Sequence, residues 1–302
     1  MTFETFRDEV VKELKDFYGS DACVENQSIK NLNGTGYDGV SVRKTGEEGS
    51  PAPVISLNEY YSVCGGDGDC VAECVERIIK LVEENGVQLP QGKSFEELIS
   101  WENVKERIFP ALISKKDNKD LIKTLASKDF LDLAVIYVIR VVELKAGIGH
   151  IKVSKELMKR WAIDVEMLHK QALYNLRRDG YGFEDIESIL LGMLQCGPAP
   201  DGKTDHMEAG KIYVYSNSGK VFGAAGILDE STLADCLGNE SYYILPSSIH
   251  ETLFVRKEDG SERKELADLV REVNQTKVEV AERLSDRIYF YNGKTGKVEM
   301  CA

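Results

Sequence analysis

Apolar positions near the start of the chain fall at Phe3, Phe6, Val10, Leu14 and Phe17. Steps of three and four put them on one face of a helix over residues 2–18, closed near Gly19. Residues 22–30, 36–43 and 52–57 then read as strands. Asn31-Leu-Asn-Gly34 and Thr45-Gly-Glu-Glu-Gly-Ser50 are turn chemistry and join them as an antiparallel meander. Val71, Val75, Ile78, Ile79 and Val82 predict a helix over 69–85 that closes at Asn85-Gly86. Residues 87–96 read as a connection into a short helix near 95–100, and 104–113 fits strand or helix equally.

A short helix over 118–126 precedes the strongest strand signal, 131–143, whose nearly unbroken apolar character implies burial on both faces. Gly147-Ile-Gly149 is expected to turn it back into a partner strand ending at Val153. Ser154 and Asp164 read as caps of two further helices, the second carrying Val165, Leu168, Ala172 and Leu176 along its buried face. Residues 211–237 echo 131–161: Ile212–Tyr215, a turn at Asn217-Ser-Gly219, an apolar run from Val221 to Ile227, and a helix from Ser231. Both stretches suggest ββα-like units. Thr252–Arg256 reads as a strand, Leu266, Leu269, Val270 and Val273 as a helix. Residues 287–291 and 297–300 read as a hairpin turned at Asn292-Gly293. Gln195-Cys-Gly-Pro-Ala-Pro-Asp-Gly-Lys-Thr204 fits no regular element. The expected division is therefore an N-terminal part, 1–195, and a C-terminal part, 205–302, with a linker near 196–204.

Composition narrows the partners. The 302 residues are 42% hydrophobic and 29% charged, a globular balance, and 38 basic against 51 acidic side chains leave a net charge of −13. An acidic surface repels phosphate backbones and anionic headgroups, so neither nucleic acid nor a membrane surface is expected as partner. An acidic mimic of nucleic acid is the remaining variant of that idea. The first residues have neither a basic nor an apolar leader region, and no run is long enough to span a bilayer. Seven cysteines at irregular spacings show no disulfide framework and read as free thiols of a cytoplasmic protein.

Candidate chemistry is concentrated at Ile244-Leu-Pro-Ser-Ser-Ile-His-Glu251, which spends one of only four histidines beside Ser247, Ser248 and Glu251. A serine nucleophile needs a base in hydrogen-bond reach and a third group orienting that base, and Asp132 or Asn274 are candidates to join from elsewhere in the fold. The bland alternative is that Ser248-Ile-His-Glu251 is a capping box on one helical turn. Cys64, Cys70 and Cys74, around Gly65-Gly-Asp-Gly-Asp69, are weak metal candidates. Soft metals favour C-x₂-C pairs with further thiolates or histidines, and Asp67 and Asp69 lack the other ligands of a calcium loop. Gly34-Thr-Gly36 lacks the third glycine and the following helix of a dinucleotide site. Lys115, Lys116, Lys119 and Lys123 alternate with Asp117 and Asp120 as a solvated face does. No cofactor is expected.

Pro53-Val-Ile-Ser-Leu-Asn-Glu-Tyr-Tyr61, Leu131-Asp-Leu-Ala-Val-Ile-Tyr137, Trp161 to Ala172 with Asn175, Gly223-Ala-Ala225, Tyr243 to Glu251, Val273-Asn274 and Leu284-Ser-Asp-Arg-Ile-Tyr289 occur in that order. Together they resemble a domain family of unknown function from Gram-positive gut bacteria, over nearly the whole chain. Residues 131–175 are also faintly similar to a second such family. The resemblance implies a bacterial, cytosolic α+β protein and assigns no catalytic residue, and the glycine-rich insert between Cys64 and Cys74 departs from the pattern. The expectation is an α+β fold of antiparallel sheets with packed helices in two subdomains. The expected function is a non-enzymatic protein binding another protein or a small molecule. A hydrolase or transferase using Ser248, His250 and Glu251 is the alternative.

Overall fold

The computed structural model describes residues 1–46, 52, 54–64, 69–85, 97, 99–144, 147–194, 207–208, 210–257 and 263–301. Contacts divide the chain into two compact units, Met1–Asn103 and Val104–Ala302. The linker expected at 196–204 lies wholly outside the described residues. Of the short helix expected near 95–100, residues 95, 96 and 98 also lie outside them.

In the first unit, helix α1 (Phe3–Tyr18) begins at Thr2, whose hydroxyl accepts the Thr5 N–H at 3.3 Å, and ends at Gly19 with φ +53°. Its buried stripe, Phe6, Val10, Leu14 and Tyr18, forms one core with strand, helix and meander residues such as Val40, Leu57, Val71 and Ile78. Each such side chain contributes about 1.5–3 kcal/mol by leaving water. Strands β1 (Ala22–Lys30), β2 (Gly36–Lys44) and β3 (Val54–Ser56) make the expected antiparallel meander, order β1-β2-β3. Helices α2 (Leu57–Cys64) and α3 (Asp69–Asn85) follow. The free-thiol expectation fails at Cys70, which is disulfide-bonded. A cross-link needs only two thiols brought to about 6 Å between Cα atoms, which spacing along the sequence does not reveal.

The second unit is built on two antiparallel sheets. A short helix at the boundary of the two units, α4 (Trp101–Val104), precedes β4 (Ile108–Ser114), which resolves the ambiguous stretch as strand. After α5 (Lys119–Thr124), β5 (Ser127–Phe130) and β6 (Leu133–Leu144) form a hairpin turned by Leu131 and Asp132. Leu131 has φ +53°, so the strand starts two residues later than its hydrophobic run suggests. From Leu133 to Ile139 every side chain of β6 is buried, as expected of a strand covered on both faces. β7 (Gly147–Lys152) pairs back on β6, with Gly147 and Gly149 inside the strand and not forming the turn. Helices α6 (Lys155–Arg160) and α7 (Val165–Leu176) start at their expected caps, Ser154 accepting from Leu157 N–H at 3.0 Å and Asp164 from Met167 N–H at 2.7 Å. α7 packs on β4.

The larger sheet runs β13-β12-β10-β11-β9-β8. Its strands are β8 (Gly182–Asp185), β9 (Ile212–Ser216), β10 (Tyr242–Leu245), β11 (Thr252–Arg256), β12 (Tyr289–Asn292) and β13 (Lys297–Met300). Helices α8 (Ile186–Leu194), α9 (Glu230–Leu237) and α10 (Arg263–Thr276) accompany it. The second ββα-like unit does not form. Residues Gly223–Leu228, expected within a strand, are a 3₁₀ segment, buried from Gly223 to Ile227. It touches β4 of one sheet and β9 and β11 of the other. Its size is the reason: a Cβ on Gly223 would lie 2.1 Å from the Ser216 Oγ and 2.3 Å from the His250 carbonyl oxygen, and one on Gly226 would lie 2.4 Å from the Tyr181 ring. An α+β fold of antiparallel sheets with packed helices is thus what the chain adopts. No helix among the described residues is long and apolar enough to cross a membrane.

Asp229, 3% exposed, joins α7 to the start of α9. Its carboxylate accepts two bonds from the Arg177 guanidinium, at 3.0 and 3.1 Å, and one each from Ser231 and Thr232. Burial pushes its pKa up, but those donors outweigh it and hold the group below the ordinary carboxylate range. The folded state therefore binds fewer protons here than the unfolded chain, in which the value is about 3.9. Stability from this group is complete above that pH and is lost as pH falls through the folded value. In urea melts, Asp229→Asn is expected to cost on the order of 2 kcal/mol near pH 7 and to flatten the acid limb below about pH 4. An unchanged acid limb would contradict the assignment. Gly226→Ala is expected to cost about 1–3 kcal/mol through overpacking. Gly238→Ala, open to space but at φ +58°, is expected to cost about 1 kcal/mol from backbone strain. Equal melts for the two variants would contradict the close packing. Thiol titration of the unfolded, unreduced chain is expected to find two fewer reactive groups than the seven cysteines of the sequence.

Candidate functional site

Pro246 to Glu251 form the loop between the antiparallel strands β10 and β11. Proline cannot continue the ladder, so the chain leaves the sheet there. The loop is clamped by backbone bonds from residues 282–285. Ser285 N–H reaches Pro246 O at 3.0 Å, Leu284 N–H reaches Ser247 O at 3.1 Å, and Ile249 N–H reaches Glu282 O at 2.9 Å. Ser247 and Ser248 are buried. The Ser248 hydroxyl accepts the His250 backbone N–H at 3.0 Å. That is a serine turn two residues long, not the helical capping box expected, because the chain enters β11 at Thr252 instead of a helix.

His250 is committed on three sides. Its carbonyl accepts from the Ser216 hydroxyl at 2.8 Å, its Nδ1 accepts the Phe222 N–H at 3.4 Å, and its ring stacks on Phe222 at 6.1 Å between centroids. An Nδ1 that accepts puts the ring proton on Nε2, which faces Glu282 Oε1 at 3.4 Å. Phe222 needs the support: it sits at φ +53°, ψ +27°, a left-handed conformation uncommon for a bulky side chain. The His150 ring also meets it edge-on, at 5.3 Å between centroids. Ser247, Ser248, His250 and Glu251 are thus neighbours in sequence without forming a nucleophile and base. Among the described residues neither hydroxyl bonds the imidazole, and Glu251 orients nothing.

Asp132 and Asn274 do meet a serine, but it is Ser285. Asp132 accepts from the Ser285 hydroxyl at 2.8 Å and from the Tyr289 hydroxyl at 2.6 Å. Burial, reinforced by that carboxylate, pushes the Tyr289 phenol far up. Asn274, 1% exposed, donates to Ser285 O and to Asp286 Oδ1, both at 2.9 Å. Asp286 also takes Lys116 at 2.9 Å. Asn274's bond, then Lys116, hold the Asp286 carboxyl below its ordinary range against burial. Asp132 and Lys116 stand 153 to 170 residues from the groups they bond, so no local pattern announces those contacts. The knot pins the Leu131–Asp132 turn to the segment before β12.

A second knot was not legible either. The Arg140 guanidinium forms a two-armed bond to Asp179, one arm at 2.6 Å, and lies 3.5 Å from the centroid of the Phe109 ring. Asn217, buried, donates to the same carboxylate at 2.9 Å. Burial pushes the Tyr181 phenol far above its usual value, and burial draws Lys152 down. Beside Phe109 opens a cleft of about 340 Å³ lined by Glu106, Phe109, Asn175 and Arg178. The Asn175 amide is already spent on Lys105 O and Ile108 O.

Two of the three cysteine candidates are ill suited to bind a metal. Cys64 ends α2, Cys70 is disulfide-bonded, and burial raises the Cys74 thiol to about 12, far from the thiolate a metal requires. Among the described residues no cluster of three or more metal-ligating side chains occurs. Asp67 lies outside the described residues.

The face of α7 away from the core is the other notable surface. Met167 and Tyr174 are 50% and 54% exposed, and the Arg178 guanidinium lies 5.6 Å from the Tyr174 ring. Lys170 is exposed between them. A search of curated proteins finds no match, nor does a search of solved structures. The model of a family of unknown function (DUF5688) matches residues 3–293, so the chain belongs to that family.

Proposed function

We propose that this protein is a protein-interaction module, and that the outer face of α7 contacts an acidic, apolar-anchored segment of its partner. The observation that carries the reading is the grouping of Met167, Lys170, Tyr174 and Arg178 on one exposed stripe. Single exposed apolar residues need no explanation. Methionine, tyrosine and arginine grouped on a helix whose opposite face is buried have the composition of an interface core. The second unit carries 29 basic against 31 acidic side chains and the first 9 against 20. The cations of the stripe therefore stand on the near-neutral part of an acidic chain. Arg177 and Arg178 are already paired with Asp229 and Glu106, too few free cations for a phosphate backbone that needs many contacts. An acidic polypeptide fits better.

The hydrolase or transferase reading loses its support in the bonds of His250. That ring holds Phe222 in place and is turned to Glu282, so it has no lone pair directed at a serine.

Two sets of variants separate these readings. Ser248→Ala and His250→Ala are expected to lower the urea midpoint by about 1–2 kcal/mol equivalent and to leave partner contact intact. A photo-crosslinking residue at position 174, in the full chain expressed in its native host, is expected to give a discrete adduct with an acidic protein. Mass spectrometry should place the adduct on an acidic segment, and Lys170→Glu with Arg178→Glu should abolish it without moving the melt. An adduct indifferent to charge reversal, or none, would sink the interaction reading.

A further inference from the structure

We infer that the acidic segment which fits the α7 stripe is helix α1 of a second copy of this chain. This rests on the interaction reading above and names its partner. On α1, Glu9, Glu13 and Asp16 are exposed along one flank, ending at Phe17, which is 62% exposed. None of the three carboxylates forms an ion pair within the described residues, and the same holds for Lys170 on α7. The spacings match. Glu9 to Asp16 spans about 10 Å of helix and Lys170 to Leu176 about 9 Å, at 1.5 Å per residue, with Arg178 in the turn just beyond. Lys170 can thus meet one carboxylate, and Arg178, shared with Glu106, a second, while Phe17 packs on Tyr174 or Met167. Lys12 is the cation that borders the acidic flank, and it leaves Glu13 and Phe17 on the far side.

Charge distribution sets the mode of contact. First unit against first unit would bring together two bodies each holding 20 acidic and 9 basic side chains, which repel. Second unit against second unit sets one basic stripe against another. Only first unit against second unit is complementary. Such a contact is made of two different patches. It closes into a dimer if each copy's α1 reaches the other's α7, and continues as a chain of copies if it does not. A contact of two helices flanked by ion pairs is small and salt-sensitive.

Sedimentation equilibrium of the full chain at about 20 mM and about 500 mM salt tests this, since the reach of exposed charges shrinks roughly fivefold over that range. Reversible association at low salt, weakened at high salt, is expected. Lys170→Glu with Arg178→Glu is expected to weaken it roughly tenfold or more, and Glu9→Lys with Glu13→Lys likewise. Mixing the two reversed proteins should restore hetero-association, a result that a folding defect in either could not produce. A monomer at every concentration and salt would overturn the inference, as would association indifferent to both reversals, or no recovery on mixing. An adduct at position 174 with a different acidic protein, alongside a strictly monomeric chain, would overturn the second-copy inference and leave the interaction reading standing.

Discussion

The second unit depends on how close two antiparallel sheets can approach the same short segment. Gly223, Ala224, Ala225 and Gly226 supply almost no side chain, and the segment they form touches β4 on one side and β9 and β11 on the other. The Ser216 hydroxyl, the His250 carbonyl and the Tyr181 and Tyr215 rings occupy the space that any Cβ on the two glycines would need. Interiors are packed at crystal density, so this is a steric condition on the fold and not a preference. The segment cannot supply its own hold through side chains. It is held at its edge by Phe222, in a left-handed conformation, and by the Ala224 N–H bonded to Ile249 O at 3.2 Å.

That condition accounts for the crowding of polar groups around Pro246–Glu251. Ser216, Ser248 and His250 each spend a hydrogen bond on the loop, and the backbone of 282–285 closes it from the other side. Buried polar groups must be paired, and a fully paired network fixes one arrangement. The same residue types that make a catalytic set also make a rigid corner, and here the His250 Nδ1 faces the Phe222 N–H. The Asp132–Ser285–Tyr289 knot does parallel work where the β5–β6 turn must stay bent with Leu131 at positive φ.

Local periodicity made much of the fold legible. α1, the meander, α3 and the caps at Ser154 and Asp164 follow from short-range rules, because their apolar stripes and cap hydroxyls act within a few residues. Val221–Ile227 misled because an apolar run of small residues looks like a strand, while its true role is set by two sheets that approach it from elsewhere. β5, only Ser-Lys-Asp-Phe, has too little pattern to be read as a strand, and β6 creates it by pairing. Ser248-x-x-Glu251 has capping-box spacing, but a helix must follow for the spacing to mean anything. The sequence reading of α7 followed its buried face and passed over Met167, Tyr174 and Arg178, since nothing in periodicity says what an exposed face does. The bond at Cys70 was hidden because irregular cysteine spacing does not say which thiols come within bonding reach.

Charge is divided unevenly, and the division bears on what the surfaces can do. Nearly all of the net −13 belongs to the first 103 residues, where acidic side chains outnumber basic ones by more than two to one. In the second unit the two kinds nearly balance, and many are tied to each other: Lys128 to Glu166, Arg140 to Asp179, Arg177 to Asp229, Lys220 to Glu184, Lys297 to Glu230. Paired charges cancel at a distance, so the field of the second unit comes from those left unpaired. Lys170 is one of them, and it stands between Met167 and Tyr174 on a helix fixed by its opposite face. A mean property such as pI hides this, because it averages one strongly acidic body with one that is close to neutral. The mean argues against phosphate and acidic lipid as partners. The local distribution argues for an acidic protein surface at α7, and the chain itself carries such a surface on α1.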